Sequence, residues 1–490
     1  MKNFTAAIFM CALLISTVPT ACAAERATQE ETHIGTLEYV GDYPTDATLT
    51  KLFDEMDFQR AVQAYMWAMP IVAMNEVYVG NKAVLGADYG DQLLFTRYAT
   101  PTDIGLTANS TTIYTFSNLN LAKEGPMVIE SPAGAYGMID DFWQRPISEI
   151  GPLGPDKAKG GKFLVLPPDY SGEKPAEGYF VVESTTNQVF YMVRGLVHGG
   201  NVQAAVDSLR TIKIYPYAKR DNPPRQKIIE INKQANTIAP RGYEYWERLS
   251  SIIDAEPVQE RDRFFMAMLK PLGIEKGKAF NPDARQKKIL TDAAEVGFRM
   301  SQAVSLAPRV PNLIVYPGTH WEHVMTAEPS QRAENYDELD QRLDYTFEAI
   351  TMAVAMVKPF VGAGSQYASA ARDKDGEWLN GSGSYRLNIP ANPPVKEFWS
   401  VTAYDNMTRS MIATDTNKAA VTSINESELA KNADGSIDVY FSPSAPAGKE
   451  SNWIKTIPGK GWFAYFRWYS PTKEFFDQTW KLGDIEKMAP

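Results

Sequence analysis

Two stretches of this 490-residue chain alternate apolar and polar residues with a period of two, and the long stretch between them repeats at helical spacing. This switch of period limits the fold more than any single motif does. Period two buries one face of a strand, and a period near 3.6 buries one face of a helix. Over residues 107–194 the runs "STTIYTFSNLNL", "GPMVIESP", "YGMIDDFWQ", "KFLVLPP", "GYFVVES" and "QVFYMVRG" are separated by Gly, Pro and Asn. That spacing predicts a β-sandwich. The strands return over residues 385–469 as "SYRLNIP", "FWSVTAYD", "SIDVYFSP" and "GWFAYFRWYSP", with turn signals "ADGS" and "PGKGW" between them. This second β region is long enough for a jelly roll.

Between them helices are expected, among them "NVQAAVDSLRTI", "YEYWERLSSIID", "ERDRFFMAMLKPLG" and "DARQKKILTDAAEVGFRMSQAVS". The longest should be "NYDELDQRLDYTFEAITMAVAMVKPF", whose Leu339, Leu343, Phe347, Ile350 and Val354 form one buried stripe. Upstream, "FDEMDFQRAVQAYMWAMPIVAMNEVYVG" reads as a helix that Pro70 ends or kinks, and the preceding polar segment reads as an irregular arm. The fold class is therefore α+β. The expected order is a leader at 1–24, an N-terminal arm and helices at 25–106, a β-sandwich domain at 107–200, a helical region at 201–370 and a jelly-roll-like domain at 371–490.

The leader assignment rests on Lys2, the apolar stretch from Ala6 to Val18 and the small residues Ala21-Cys22-Ala23-Ala24. The apolar run is too short for a membrane span and suits a secretory signal peptide. Both cysteines, Cys11 and Cys22, fall inside it, so cleavage after Ala23 or Ala24 leaves a chain with none. That excludes disulfides, thiolate metal sites and cysteine nucleophiles, and it points to a bacterial periplasm. No later segment is long and apolar enough to predict a membrane span. The formal net charge is −10 with no basic run, which argues against nucleic acid as a partner.

Several residues could carry chemistry. His320 and His323, in "YPGTHWEHV", could share a metal, but no third ligand lies nearby and none is assigned. Thr319-His320-Trp321-Glu322 also has the form of a capping box, which would make Thr319 and Glu322 the start of a helix and leave the histidines to face a ligand or solvent. His198, before Gly199-Gly200, reads as a plain turn residue. In "YGMIDDFWQ" strand alternation sends Asp140 and Asp141 to opposite faces, with Arg145 near enough in sequence to neutralise one. Asp405 ends the apolar face of "FWSVTAYDN", where Asp405-Asn406 could instead build a turn. Phe463, Tyr465, Arg467 and Tyr469 share a face, which leaves Arg467 either packed among rings or reaching for an anion. "DKDGEW" lacks the ligands of a calcium loop and reads as a hairpin turn. No nucleotide or dinucleotide loop, nucleophile elbow or zinc-protease motif occurs in its required context, so no cofactor is identified.

The blocks "AVQAYMWAMPIV", "TANSTTIYTFSNLNLAKEGPMVIESP" and "DDFWQRPISEIGPLGPDKAKGGKFLVLPP" resemble the domain of unknown function 1254. "YRLNIPANPPVKEFWSVTAYDNMTRSMI" and the segment from "NADGSIDVYFSP" to "KLGDIE" resemble the domain of unknown function 1214. The resemblance implies an immunoglobulin-like sandwich, a helical segment and a jelly-roll-like C-terminal domain, and it brings no activity with it. Asn109, Thr112, Tyr114, Trp143, Trp399, Tyr404, Asp405, Asn452, Trp453 and Arg467 fall in its motif blocks, and all of these except Thr112 and Asp405 are the ligand-binding candidates.

Two functions fit these observations. One is a periplasmic enzyme acting on a small or saccharide-like ligand in a cleft between the two β domains. Asp140 or Asp141 and Asp405 would serve as acid and base, and Arg467 with His320 or His323 would polarise the substrate. Two carboxylates about 5–10 Å apart would suit a glycosidase-like mechanism. The other is a non-catalytic ligand-binding protein or a homo-oligomeric scaffold.

Overall fold

The computed structural model describes residues 27–197 and 200–489, so the expected leader with its cysteines, and His198, lie outside the described residues. The chain divides into two compact units, one reaching to Met56 and one beginning at Asp57. In the first unit the expected irregular arm is instead a small antiparallel sheet of Ala27–Thr32, Gly35–Val40 and Tyr43–Pro44. Its second turn is Gly41-Asp42, both at positive φ, the backbone that a two-residue hairpin loop needs. Lys51 donates to the Thr36 carbonyl at 2.6 Å, and the Thr48 hydroxyl donates to the Glu38 carbonyl at 3.0 Å.

A 40-residue helix, Asp46–Leu85, follows. Pro70 does not end it. The turns around Pro70 are buried at nearly every position from Ala61 to Val77, and packing on all sides outweighs the one hydrogen bond that proline removes. In the second unit this helix packs against Glu244–Ala255 and Ala284–Leu306. The Tyr245 hydroxyl donates to the Tyr65 carbonyl at 2.7 Å, and Trp246 Nε1 donates to the Leu290 carbonyl at 2.6 Å. A Cβ on Gly297 would stand 2.7 Å from the Tyr65 ring, so only glycine permits that approach.

The first β region forms two facing sheets. One has six strands in the order Ile228–Glu230, Gln92–Leu94, Ile113–Asn120, Gln188–Gly195, Ala135–Asp141 and Pro146–Ile150. The other has four strands: Phe180–Glu183, Gly161–Leu166, Met127–Ser131 and Lys213–Pro216. Alternation splits the six-stranded sheet cleanly. Ile113, Ile139, Val189, Tyr191 and Val193 share a core with Ile129, Phe163 and Val165 of the four-stranded sheet. Phe116, Phe190 and Met192 point the other way, towards the helices.

The second β region repeats this plan. A five-stranded sheet is ordered Glu322–His323, Ser365–Ala370, Trp462–Tyr469, Trp399–Asp405 and Ala420–Thr422, and a four-stranded sheet is ordered Trp453–Lys455, Ile437–Ser442, Tyr385–Ile389 and Glu486–Lys487. Trp399 stacks on Phe466 and Trp462 on Phe441, with ring centroids 5.6 and 4.6 Å apart, in the core between them. The fold is thus α+β, with several sheets and a helical segment between the two β regions.

Two further expectations change. Residues 319–322 start no helix. Glu322–His323 is instead a short strand paired with Ser365–Ala370, and the Thr319 hydroxyl donates to the Tyr316 carbonyl at 2.8 Å rather than capping. The longest expected helix stops at Glu348, and only Leu339–Glu348 and a single turn, Val354–Val357, are helical. Beyond Glu348 three backbone N–H groups find side-chain acceptors outside the helix. Thr351 donates to Gln144 Oε1 at 2.9 Å, Met352 donates to Asp140 Oδ2 at 3.0 Å, and Val354 donates to Glu149 Oε1. These bonds replace the helix carbonyls and hold the apolar segment as a strap, with Thr351 at positive φ.

Burial raises Glu149, Glu256, Glu322 and Glu348 from 4.5 to about 7. Between those values the folded chain binds more protons than the unfolded chain, so stability falls as pH rises through that window. His323, lowered from 6.5 by burial, acts in the opposite sense just below its ordinary value. Burial also raises Glu76, Asp140 and Asp344, so the balance predicts a higher melting temperature near pH 5 than near pH 7.5. A melting profile that rises across this range would show that burial of these carboxylates does not govern stability.

Candidate functional site

The second face of each large sheet is turned towards one cavity of about 460 Å³. Tyr114, Phe116, Met138, Phe190, Met192 and Arg194 line it from the six-stranded sheet, and Ser365, Tyr367, Tyr465 and Arg467 line it from the five-stranded sheet. The strap closes a third side with Ala349, Ile350, Thr351 and Ala353, and Asn109 and Glu149 reach the wall. The volume lies within the range of small-molecule sites. Its surface is mainly aromatic and aliphatic, with a few polar groups among the rings.

Two of those groups are arginines that form no ion pair among the described residues, although the Glu397 carboxylate also lines the cavity. Arg467, 3% exposed, donates through Nη2 to the Thr107 carbonyl at 3.1 Å and through Nη1 to Thr402 Oγ1 at 3.3 Å. Arg194 donates to Ser365 Oγ at 3.3 Å and lies 5.5 Å from the Tyr469 ring centre. Burial works against the charge on both, but Tyr404, Tyr469 and Tyr367 around Arg467, and Tyr114, Tyr367, Tyr469 and the Glu397 carboxylate around Arg194, more than offset it. Both guanidiniums stay firmly cationic in a protein of net charge −10.

The same loop, residues 107–111, ties the two β regions together. Besides the Arg467–Thr107 bond, the Tyr404 hydroxyl donates to the Ala108 carbonyl at 2.9 Å. Asn109 Nδ2 donates to the hydroxyls of Tyr469 at 2.6 Å and Tyr114 at 3.1 Å. Asn109, Tyr114, Tyr404 and Arg467, from separate motif blocks of the sequence, therefore meet at one seam. Asn109, Tyr114 and Arg467 line the cavity, and Tyr404 secures its wall.

The acids singled out in the sequence do not converge there. Asp141 is fully buried and accepts from Arg145 Nε at 2.6 Å and from the backbone N–H groups of Trp143 and Arg145. Asp140 is pushed well above the carboxylate range by burial, and its Oδ2 holds the strap at Met352. The register shift beside Ile139 and Asp140 lies in the neighbouring strand Pro146–Ile150, while pairing with Gln188–Gly195 stays regular through both acids, so Asp140 and Asp141 keep the opposite faces that alternation predicts. Asp405 closes a turn, accepting from the N–H groups of Met407 and Thr408 at 2.9 Å, with Lys460 at 3.4 Å.

Nor do His320 and His323 line the cavity. His320 is engaged by Asp484, through its backbone N–H at 2.7 Å and its ring Nδ1 at 3.2 Å. His323 is half-buried in its short strand. Trp399 is in the core, and Trp453 Nε1 donates to the Ser442 carbonyl at 3.0 Å. Asn452 is buried and bonded to the backbone of Ala430 and Asp438. Trp143 packs 4.9 Å from Trp67, away from the cavity lining. Asp373 accepts from the N–H groups of Asp375 and Glu377 at 3.0 Å and closes a hairpin turn. Among the described residues, no group of three or more His, Cys, Asp or Glu is placed to hold a metal.

Sequence reasoning missed Arg194, Glu149, Tyr367 and the strap. Arg194 had a legible signal, because period two puts it on the same face as Phe190 and Met192, where a charge needs a reason. Glu149 lines the cavity and forms no ion pair among the described residues, and burial, partly offset by the N–H groups of Val354 and Ala355, raises it to about 7.

Two β regions, each with one sheet face turned to a shared cavity and helices between them, define the class of protein. Residues 91–216 match the family described as Protein of unknown function (DUF1254), and residues 364–473 match Protein of unknown function (DUF1214), so the chain carries both domains. The VPA0106 protein from Vibrio parahaemolyticus has a similar fold, with TM-score 0.53 at 18% identity over 88% of this chain and 100% of that chain. An uncharacterized protein from Burkholderia cenocepacia aligns at 12% identity and TM-score 0.37 over 91% of this chain and 90% of that chain. No curated protein matches the chain.

Replacing Arg145 by alanine would leave Asp141 a buried charge without its partner. The expected loss is about 3–5 kcal/mol of stability, read from urea unfolding. A loss within about 0.5 kcal/mol would show that the pair does not hold this turn.

Proposed function

We propose that this protein binds a small organic anion with an apolar, ring-sized or chain-like body in the cavity between its two β regions. The observation that carries the reading is the pair of cavity-lining arginines, Arg194 and Arg467, neither of which forms an ion pair among the described residues. A buried guanidinium is costly unless compensated, and a carboxylate with the right spacing accepts two of its N–H bonds at once. Phe116, Phe190, Met138 and Met192 then suit an apolar body better than a saccharide, whose many hydroxyls would each need a partner. Tyr114 and Tyr367, which line the cavity, supply further hydroxyls at the anionic end.

The acid–base pair of a glycosidase has no support in this arrangement, because Asp140, Asp141 and Asp405 are each committed to backbone or basic groups. An enzyme of another class fits the same cavity through Glu149, whose proton is exchangeable near neutrality. The apolar stretch Ala6–Val18 behind Lys2 supports export to a periplasm, where such ligands would be met. The facing pairs of sheets are compatible with an immunoglobulin-like first region and a jelly-roll-like second one.

Calorimetric titration with benzoate and octanoate, each paired with its uncharged amide, tests the proposal. The acids are expected to bind and the amides to bind weakly or not at all. Arg194→Met should cost about 2–5 kcal/mol of binding. Equal binding of acids and amides, or unchanged affinity in Arg194→Met, would overturn it.

A further inference from the structure

The cavity is long in one direction, and its length bears on the shape of the ligand. Register places Tyr114, Arg194 and Tyr136 side by side on three neighbouring strands of the six-stranded sheet. The Phe95 N–H donates to the Tyr114 carbonyl at 3.0 Å, and the Ile231 N–H donates to the Leu94 carbonyl at 2.9 Å. The row therefore continues through Phe95 to Ile231 at the edge of the sheet. All five residues line the one cavity. Neighbouring strands lie about 4.8 Å apart, so the row spans about 19 Å from Tyr136 to Ile231, and Ile231 is about 14 Å from Arg194. A round chamber of 460 Å³ would be about half as wide, so the space is elongated.

Charge is not spread evenly along the row. Arg194 and Arg467 share Tyr367 and Tyr469 as neighbours, so the two cations gather at one point of it. Past Tyr136 the wall carries Glu149, whose carboxyl accepts from the strap at Val354. In the other direction Phe95, Ile231, Leu106, Val77 and Ala235 form an apolar run. The polar side chains at that end already have partners. Asp103 pairs with Arg97 at 2.7 Å, the Asn81 amide donates to the Val77 carbonyl at 2.7 Å, and the Thr237 hydroxyl donates to the Ile104 carbonyl at 3.0 Å. Exposed Lys233 ends the run. Along the strands, rather than across them, Phe116 and Phe190 pack with ring centres 5.7 Å apart and take up the width.

Resting on the reading of this cavity as an organic-anion site, we propose that its ligand is an unbranched fatty acid of medium length, with its carboxylate at Arg194 and Arg467 and its chain lying along the row towards Ile231 and Ala235. At roughly 1.3 Å of reach per carbon–carbon bond, about 14 Å takes a chain of about ten carbons. A single ring beside the arginines would leave the Ile231 end unfilled, and an unfilled apolar wall loses its dispersion contacts.

Calorimetric titration with hexanoate, octanoate, decanoate, dodecanoate and tetradecanoate measures the length. Each added carbon up to about ten should tighten binding about three- to fourfold, the usual effect of burying one methylene, and the gain should stop near dodecanoate. Ala235→Phe puts a ring at the far end and should weaken decanoate about tenfold or more while leaving hexanoate unchanged. Affinity that is flat from hexanoate to decanoate, a gain that continues unbroken to tetradecanoate, or an equal loss of hexanoate and decanoate in Ala235→Phe would each overturn the proposal. If Ala235→Phe does not fold, the length series on the unaltered chain decides alone. Hexanoate against hexanamide separates the two readings. A flat length series with the acid still preferred removes the fatty chain and leaves the anion site standing, whereas no preference for acid over amide removes both.

Discussion

The cavity depends on one seam, where the loop of residues 107–111 crosses the five-stranded sheet. A cationic donor, a phenol and an amide all engage this short segment: Arg467 at Thr107, Tyr404 at Ala108, and Asn109 reaching to Tyr469. The Thr107 N–H in turn donates to the Arg409 carbonyl at 2.7 Å. A loop would otherwise leave these backbone groups to water. Here they are buried and matched, which fixes the spacing between the two sheets that face the cavity. The same Arg467 that holds the seam lines the cavity, so the structural bond and the ligand-facing charge belong to one side chain.

The strap solves a second problem of unpaired backbone. Its residues have the composition of a helix, and an isolated segment of this kind would favour one. What prevents it is competition from fixed acceptors on the strand and turn of residues 140–149. Asp140, Gln144 and Glu149 offer acceptors along one edge, and Gln144 is itself anchored through Nε2 to the Pro70 carbonyl at 2.7 Å. Tertiary hydrogen bonds therefore override local propensity over a short stretch, and the apolar side chains that a helix would have hidden become cavity wall.

This competition explains what could and could not be read from the chain. Each quoted β run between residues 107 and 194, and each between 385 and 469, contains a strand, because alternation is a local signal that burial on one face enforces. The helices 244–255 and 284–306 were legible for the same reason. The end of the helix at Glu348 was not, because its cause lies about two hundred residues upstream. Asn109, Tyr114 and Arg467 reach the cavity, and their motif membership marked them. Asp140, Asp141 and Asp405 looked catalytic because a sequence shows an acid without showing the N–H groups and arginine that occupy it. His320 and Asp484 are 164 positions apart, beyond any spacing rule.

The three bonds of the strap also bear on how the chain acquires its cavity. They join residues 205 to 212 positions apart, so none can form before the six-stranded sheet exists to offer its acceptors. Until then residues 349–357 are free to coil as a helix, and the ring-lined faces of both sheets are open to solvent. Enclosure of the cavity is thus a late event in folding, governed by long-range closure rather than by local preference. An early, incompletely closed chain would expose its apolar interior at the very place where the finished protein hides two charges.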